Sequence, residues 1–164
     1  MSHDHHHDHA HHASHDIEHD LAAAASWCVA RGEKLTDQRR EVLAMLLGAP
    51  GSMKAYDLLA EIQKHKPTAA PPTVYRALDF LVSVGLAHKL ESMNAFVACR
   101  DFSTPHHGVM FICDRCHSVA ELHDPALAQY MAQQAGKIGF TVAPQDVELH
   151  GACAACRTLP EEAA

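Results

Sequence analysis

The sequence has no apolar run near the roughly 20 residues that a helix needs to cross a bilayer, so we do not expect an integral membrane protein. The opening MSHDHHHDHAHH has neither the basic nor the apolar segment of a secretory signal peptide. These absences predict a cytoplasmic protein whose thiols stay reduced, so the six cysteines need an explanation other than disulfides. A nucleophile paired with a base and a phosphate-binding glycine loop are also missing, which leaves little support for an enzyme.

Basic residues are scarce overall: the net charge is −7, with 13 Lys and Arg against 20 Asp and Glu. They are concentrated in residues 31–89, which carry nine Lys and Arg and six Asp and Glu, a local excess of +3. Contacts with DNA phosphates require such a local positive surface. The charge distribution is therefore compatible with a nucleic-acid partner for this segment.

Histidine is concentrated at one end, since residues 1–20 hold nine of the sixteen histidines, interleaved with Asp and Ala. Such a tract has few apolar groups to bury, so we interpret residues 1–19 as a disordered, His-rich tail with affinity for metal ions. A purification tag is the rival interpretation. The irregular spacing and the acidic interruptions disfavour it.

Residues 20–98 have the pattern of a winged helix-turn-helix domain. Apolar residues recur at helical spacing from Ile17 onward until Gly32, and further helices are expected from the N-cap Thr36 to Gly48, over 55–65, and from Pro72 to Gly85. The buried positions expected in these three helices are Val42, Leu43, Leu46, Leu47, Leu58, Leu59, Ile62, Val74, Leu78, Leu81 and Val82. Residues 86–99 are β-rich on either side of Ser92-Met93-Asn94, which predicts a two-stranded hairpin, the wing.

Residues 99–105 are expected to be a hinge, and residues 106–157 a small α/β domain. Strands are predicted over 109–112, 118–122, 140–142 and 147–149, with a helix over 125–137. The predicted fold class is therefore α+β, with a winged-helix domain followed by a smaller α/β domain.

Two C-x-x-C pairs, Cys113/Cys116 and Cys153/Cys156, lie in the second domain with 36 residues between them. That interval suits a strand–helix–strand unit whose two ends meet, and four thiolates suit the closed tetrahedral coordination of structural Zn²⁺. A thioredoxin-like redox motif is the rival interpretation, but such a motif does not need a second pair. We therefore predict a structural zinc site with these four ligands.

A second, mixed set of metal-binding residue types surrounds the predicted hinge. It comprises His88 and Cys99 on the hairpin side, His106 and His107 in the loop, and Glu121 on a later strand. A His/Cys/Glu set can bind Zn²⁺. Exposed polar residues of ordinary strands explain the pattern equally well. The remaining cysteine, Cys28, is interpreted as a small buried apolar residue of the first helix.

The segments AYDLLAEIQKHKPTAAPPTVYRALDFLVSVGLAHKLES, FICDRCHSVAEL and HGACAAC resemble the ferric uptake regulator family, and within it the zinc uptake regulators. The resemblance covers residues 20–157. It implies a homodimeric, zinc-dependent repressor of zinc-uptake genes, in which the α/β domain is the dimerisation domain. By position, the four C-x-x-C cysteines match the structural zinc ligands.

The resemblance also implies a regulatory zinc site at the hinge, with the ligands His88, Cys99, His107 and Glu121. His106 is the alternative to His107, because counting forward from Cys99 favours His107 and counting back from Cys113 favours His106. Two zinc ions per chain are therefore expected. A third site, using His117 and His150, would be an addition found in parts of the family.

The expected partner is double-stranded DNA with an AT-rich palindromic operator, and no small-molecule substrate is expected. Thr73, Tyr75 and Arg76 lie in the first turns of the predicted recognition helix, where a helix-turn-helix meets the duplex. Arg76 could hydrogen-bond a guanine edge through both of its terminal nitrogens. Arg39 and Arg40, at the start of the second helix, are candidates for phosphate contacts or are ordinary surface charges.

Three alternative functions remain open from the sequence. The first is a sensor of iron, manganese or peroxide in the same family, against which the Cys99 thiolate argues. The second is a zinc-buffering protein in which the His-rich tail is the working part. The third is a thiol oxidoreductase.

Overall fold

The computed structural model describes residues 9–102, 108–142 and 146–158, with side chains from residue 17 onward. Its elements, in chain order, are α1 (His9–Val29), α2 (Asp37–Gly48), α3 (Ala55–Gln63), α4 (Pro71–Ser83), β1 (Ala87–Leu90), β2 (Ala95–Ala98), β3 (Val109–Cys113), β4 (Val119–Leu122), α5 (Pro125–Lys137), β5 (Val147–Gly151) and a short 3-10 turn (Cys156–Thr158). None of the helices in these ranges is both long enough and apolar enough to cross a membrane. The mixture of helices and strands is as predicted.

Helix α1 begins at His9, so the expectation of a disordered tail is corrected for residues 9–19. The helix is anchored at its other end by Leu21, Ala24 and Cys28, which are buried in the core. Extending an anchored helix costs far less than nucleating one, and the alanines among residues 9–19 favour the extension. Residues 1–8 of the predicted tail lie outside the described residues.

Helices α2, α3 and α4 form the core of the first domain as their apolar periodicity predicts. Thr36 is the N-cap of α2, and its side chain accepts a hydrogen bond from the backbone N–H of Arg39. Two details differ from the prediction. Leu59 is only partly buried, and Val82 is 36% exposed while Ala77 and Phe80 are buried in its place. Val82 lies about 100° around the helix from Leu81, just outside the buried stripe.

The predicted wing is present as an antiparallel hairpin in which β1 pairs with β2. Asn94, in its turn, adopts φ +48°, a left-handed conformation that asparagine tolerates. Gly85 precedes the hairpin at φ +77°, so the predicted glycine stop of α4 has the geometry that glycine favours. Met53 pairs with Phe96 in an isolated bridge, which attaches the hairpin to the segment before α3.

The second domain is a three-stranded sheet in the order β4-β3-β5 with α5 in the crossover between β4 and β5. Strand β3 runs antiparallel to β4 and parallel to β5, so both of its edges are paired. The predicted strand over 140–142 is wrong. Gly139 adopts φ +83° and the Phe140 N–H donates to the Ala135 carbonyl at 2.9 Å, so the chain ends α5 in a Schellman-type motif there.

Candidate functional site

The four cysteines of the two C-x-x-C pairs come together at one end of the β3–β5 pair. Their Sγ atoms all lie within 4.8 Å of one another, and those of Cys116 and Cys153 are 3.7 Å apart. Tetrahedral coordination with Zn–S bonds of about 2.3 Å places sulfur atoms about 3.8 Å apart. The cluster therefore has the donor set and the spacing of a closed zinc site.

Sheet register and local turns explain why the cysteines meet. Cys113 ends β3 directly beside Gly151 of the parallel strand β5, which places Cys153 just beyond the same sheet end. Each C-x-x-C segment is closed by a backbone hydrogen bond: His117 N–H donates to the Cys113 carbonyl and Arg157 N–H to the Cys153 carbonyl, both at 2.9 Å. These turns hold two sulfurs of each pair on the same side.

The thiols of this cluster have strongly divergent acidities. Hydrogen bonds from the backbone N–H groups of Cys153, at 3.4 Å from the sulfur, and of Cys116 lower the pKa of Cys113 to about 6. The neighbouring Cys116 and Cys153 side chains raise the pKa of Cys156 to about 12. A cluster of thiols that cannot all ionise together needs a divalent cation to carry four thiolates.

A second group of possible metal ligands lies at the junction of the two domains. His88 is in β1, Cys99 follows β2, and Glu121 is in β4 of the second domain. One ligand atom from each lies within 4.8 Å of the others. His88 Nε2 is 3.3 Å from Glu121 Oε1, and Cys99 Sγ is 4.0 Å from Glu121 Oε2. Nitrogen, sulfur and oxygen donors on both sides of a domain junction suit Zn²⁺.

His88 has an acidic environment although it is only 7% exposed. Burial lowers its pKa, but hydrogen bonds to Asp146, Cys99 and Glu121 raise the pKa more, to about 11. The Asp146 contact is made through Nδ1 at 2.8 Å. Without a metal ion the imidazole is therefore protonated at neutral pH, and a cation that binds there must displace that proton.

The other predicted ligands have different positions. His106 and His107 lie outside the described residues. Among the side chains that the structure describes, only the two groups above bring three or more His, Cys, Asp or Glu ligand atoms within 4.8 Å of one another. His150 has both ring nitrogens in hydrogen bonds, to Asp114 at 2.8 Å and to Ser92 at 2.9 Å, which does not favour the third site with His117.

Helix α4 presents the predicted DNA-reading residues on its outer face. Tyr75 is 49% exposed, Arg76 is exposed and Thr73 is partly exposed. Arg39 and Arg40, the two residues predicted to contact phosphates, both contact other side chains of the protein. The Arg39 guanidinium carbon is 3.4 Å from the centre of the Phe80 ring, and Arg40 Nη2 is 2.7 Å from Glu18 Oε2.

Several contacts across the domain junction have no signature in the sequence. The carboxylate of Glu148 in β5 accepts hydrogen bonds from the backbone N–H groups of Glu91 and Ser92 at the wing, at 2.6 and 3.1 Å, and from the Ser92 hydroxyl. Leu90 of the wing packs with Met110 and Ile112 of β3. The partners are 20 to 60 residues apart in the chain, so no local pattern relates them.

Comparisons with known proteins agree with this architecture. The chain is 46% identical over 137 residues to the zinc uptake regulation protein of Escherichia coli (strain K12), covering 83% of this chain and 80% of that protein. It superposes on a zinc uptake regulator complexed with zinc and DNA with a TM-score of 0.80, at 44% identity over 86% of this chain and 95% of the other.

The protein XcZur has been solved in two forms that differ in their similarity to this chain. The holo form gives a TM-score of 0.76 at 44% identity, covering 85% of this chain and 97% of that chain, and the apo form 0.51 at 43% identity, covering 87% and 99%. The arrangement of this chain is thus closer to the holo form. The model of the ferric uptake regulator family matches residues 30–150. The chain belongs to the ferric uptake regulator family, whose members regulate transcription.

Proposed function

We propose that the protein is a zinc-responsive transcriptional repressor of zinc-uptake genes. The observation that carries the proposal is the meeting of His88, Cys99 and Glu121 across the junction between the wing and the α/β domain. With His107, or His106, as the fourth ligand, this group is the proposed regulatory site. The four-Cys cluster is the proposed structural zinc site.

The two sites act on different parts of the fold. Cys113 ends β3 and Cys116 follows it, whereas Cys153 and Cys156 follow β5, so the structural site joins two ends of one domain. His88 and Cys99 belong to the wing, whereas Glu121 belongs to β4. Zn²⁺ bound at this second site supplies coordination bonds that join the two domains.

The proposed switch is a shift in the population of domain orientations. When the hinge ligands are not held together, few orientations place both recognition helices of a dimer on successive turns of a duplex. Tying the wing to β4 favours the competent orientation. By linkage, DNA must in turn strengthen zinc binding by the same factor. The higher TM-score with holo XcZur than with apo XcZur supports an orientation of the zinc-bound kind.

The proposed DNA-binding surface is the outer face of α4. Thr73, Tyr75 and Arg76 are the proposed contacts, with Arg76 reading a base edge at about 1–3 kcal/mol of discrimination. The proposed operator is AT-rich and palindromic. Arg39 and Arg40 would need to leave Phe80 and Glu18 to reach phosphates, so their proposed contribution is the smaller one.

The proposed active species is a homodimer formed through the α/β domain. Helix α5 has no buried residue, and apolar side chains around it and the sheet are exposed: Phe111, Leu122, Tyr130, Ile138, Phe140 and Leu149. A surface of this kind in a small domain is typical of an interface. No catalysis and no small-molecule substrate are proposed for the chain. Its proposed compartment is the cytoplasm, where a DNA-binding repressor would meet its operator.

Fluorescence anisotropy on an AT-rich palindromic duplex across buffered free zinc tests the proposal. We expect binding to tighten about 10–100-fold with zinc, the range of a coupling energy between two sites. Manganese and ferrous iron serve as controls for the other metal sensors of the family. Zinc-independent binding would contradict the zinc switch while leaving the winged-helix assignment in place.

Cys99→Ser tests the hinge site within the same experiment. We expect the variant to remain a folded dimer with its structural zinc and to lose the zinc response, because serine is a far weaker zinc ligand than a thiolate. Cys28→Ala is the matched control, since Cys28 is a buried cysteine of the first domain's core. A full zinc response in Cys99→Ser would refute the hinge switch.

A further inference from the structure

The carboxylate of Asp146 connects the hinge site to the start of β5. Its Oδ2 is 2.8 Å from His88 Nδ1, and its Oδ1 accepts a hydrogen bond from the backbone N–H of Gly108 at 3.0 Å. Asp146 precedes β5 and is 58 residues from His88 in the chain. One side chain thus contacts a candidate ligand, His88, and the backbone N–H of Gly108, the residue that directly follows His107 in the sequence.

An ionised carboxylate only accepts hydrogen bonds, so the proton of the His88–Asp146 contact is on Nδ1. In the neutral imidazole the lone pair is then on Nε2, the nitrogen that faces Glu121 at 3.3 Å. Histidines that bind metals through one nitrogen commonly donate the other N–H to a carboxylate, which orients the ring and raises its basicity. Asp146 has this relation to His88.

The second contact of Asp146 positions a crowded part of the backbone. A Cβ at Gly108 would lie 3.0 Å from the Leu122 carbonyl oxygen and 3.3 Å from Oε1 and Cγ of Glu121, so only glycine fits there without displacement. The Val147 N–H also donates to the Gly108 carbonyl at 3.0 Å. Residues 146 and 147 therefore hold Gly108 against Glu121, another candidate ligand.

We propose that Asp146 is the positioning residue of the regulatory zinc site, fixing His88 with Nε2 as the ligating nitrogen and holding the Gly108 backbone beside Glu121. The inference rests on the proposed zinc site at the hinge. It adds that zinc affinity at that site depends on a residue that is not itself a ligand.

Asp146→Asn is the sharpest test because the two side chains have the same shape. An asparagine has one acceptor oxygen and one donor NH₂, whereas the two Asp146 contacts both need an acceptor. In either orientation of the amide, its NH₂ group faces an N–H donor, which is either His88 Nδ1–H or the Gly108 backbone N–H. We expect zinc affinity at the hinge site to fall about 10–100-fold.

The measurement is competition against a zinc chelator, on the full chain with its structural site already loaded. Glu148→Gln is the matched control, since Glu148 also accepts backbone hydrogen bonds across the junction but contacts the wing at Glu91 and Ser92. We expect the hinge affinity of this control to stay within about threefold of the parent, far less than a lost supporting group costs.

Two further readouts separate a positioning role from a structural one. With Co²⁺ at the hinge site, we expect Asp146→Asn to change the charge-transfer and ligand-field absorption, which report the Cys99 thiolate and the ring ligand. The structural zinc content and the dimerisation of the variant should stay as in the parent. A loss of either, or an equal loss of affinity in Glu148→Gln, would overturn the inference in favour of a general role at the junction.

Unchanged zinc affinity and cobalt spectra in Asp146→Asn would also overturn the inference, while leaving the hinge site itself in place. If the parent protein bound no second zinc ion, the proposed hinge site would be at fault instead, and the inference would be refuted with it.

Discussion

The winged-helix domain and the α/β domain differ in how much apolar surface they bury within one chain. Eighteen residues between Leu21 and Phe96 form a continuous buried cluster in the first domain. The second domain contributes Met110 and Ile112 to a small cluster that it shares with Leu90 of the wing, and its helix α5 buries no residue. Burial of apolar surface therefore stabilises the first domain.

The difference indicates what each domain needs from elsewhere. A domain of about 50 residues buries too little surface to be stable on its own, and metal ions or oligomerisation usually compensate. The four-Cys cluster and the exposed apolar face around α5 are the corresponding features of the α/β domain. The first domain has a large apolar core of its own, so its fold does not require a metal ion at His88 and Cys99, the candidate ligands that it contributes to the proposed switch.

The largest expected effect is the loss of the α/β fold when a structural ligand is removed. In Cys113→Ser the metal loses a thiolate, and metal-binding free energy is folding free energy in small domains of this kind. We expect hydrogen exchange and limited proteolysis to show an unprotected region after residue 108 while residues 20–98 stay protected. Treatment of the parent with a strong chelator should give the same pattern.

If both regions of Cys113→Ser stayed fully protected, the four-Cys cluster would not be needed for the α/β fold. The two domains would then not differ in their dependence on a metal ion. Loss of protection in both would mean that the winged-helix domain also depends on the structural metal. Cys28→Ala, which removes a thiol from the first domain, should change neither the zinc content nor the protection after residue 108.

An intermediate effect is expected from truncating the apolar core of the first domain. Leu78 is fully buried in α4, so Leu78→Ala should lower the free energy of unfolding by about 2–5 kcal/mol. Urea unfolding followed by the fluorescence of Trp27, which packs against this core, measures the change. The structural zinc content should remain that of the parent.

Tyr130→Ala is the matched truncation in the second domain, where Tyr130 is 59% exposed on α5. We expect little change in the unfolding of the winged-helix domain and a weaker dimer by analytical ultracentrifugation. An equal loss of stability in both variants, with an unchanged dimer, would remove the contrast between buried and exposed apolar residues.

The smallest expected effect concerns an ion pair inside the winged-helix domain. A hydrogen bond from Lys66 lowers the pKa of Glu41, burial opposes this, and the hydrogen bond with His65 adds to the lowering. The pKa of Glu41 in the folded state lies below the ordinary value for glutamate. The charged Glu41 therefore stabilises the fold in full at pH values above that ordinary pKa. The contribution is lost as the pH falls through the folded-state pKa.

Glu41→Gln should therefore reduce the free energy of unfolding near neutral pH by less than about 1 kcal/mol, the scale of partly exposed ion pairs. The difference from the parent should vanish in acid, as measured by urea unfolding across pH. Asp79→Asn, which removes an exposed carboxylate of α4 in the same domain, is the control. A difference that grew as the pH fell would have the wrong sign.

Local patterns in the sequence were sufficient for most of the fold. Three examples are the Thr36 cap, the apolar stripe of α2 and the glycine that ends α4 before the wing. Each depends on residues only a few positions apart, which is the range that periodicity and capping rules describe. The strand predicted over 140–142 failed for a related reason. Its apolar residues follow a helix end whose hydrogen bonds already use the Phe140 N–H.

The candidate sites show the same distinction between features that local sequence patterns predict and contacts between residues distant in the chain. By itself, the sequence determined the four-Cys cluster, because two C-x-x-C pairs leave few alternatives, and it determined the residue types around the hinge. Only the tertiary structure decided that Asp146 faces His88 and that Glu148 holds the wing. These partners are more than 50 residues apart, so their contact depends on how β5 docks beside β3 and on how the wing lies against that sheet, which no local spacing encodes.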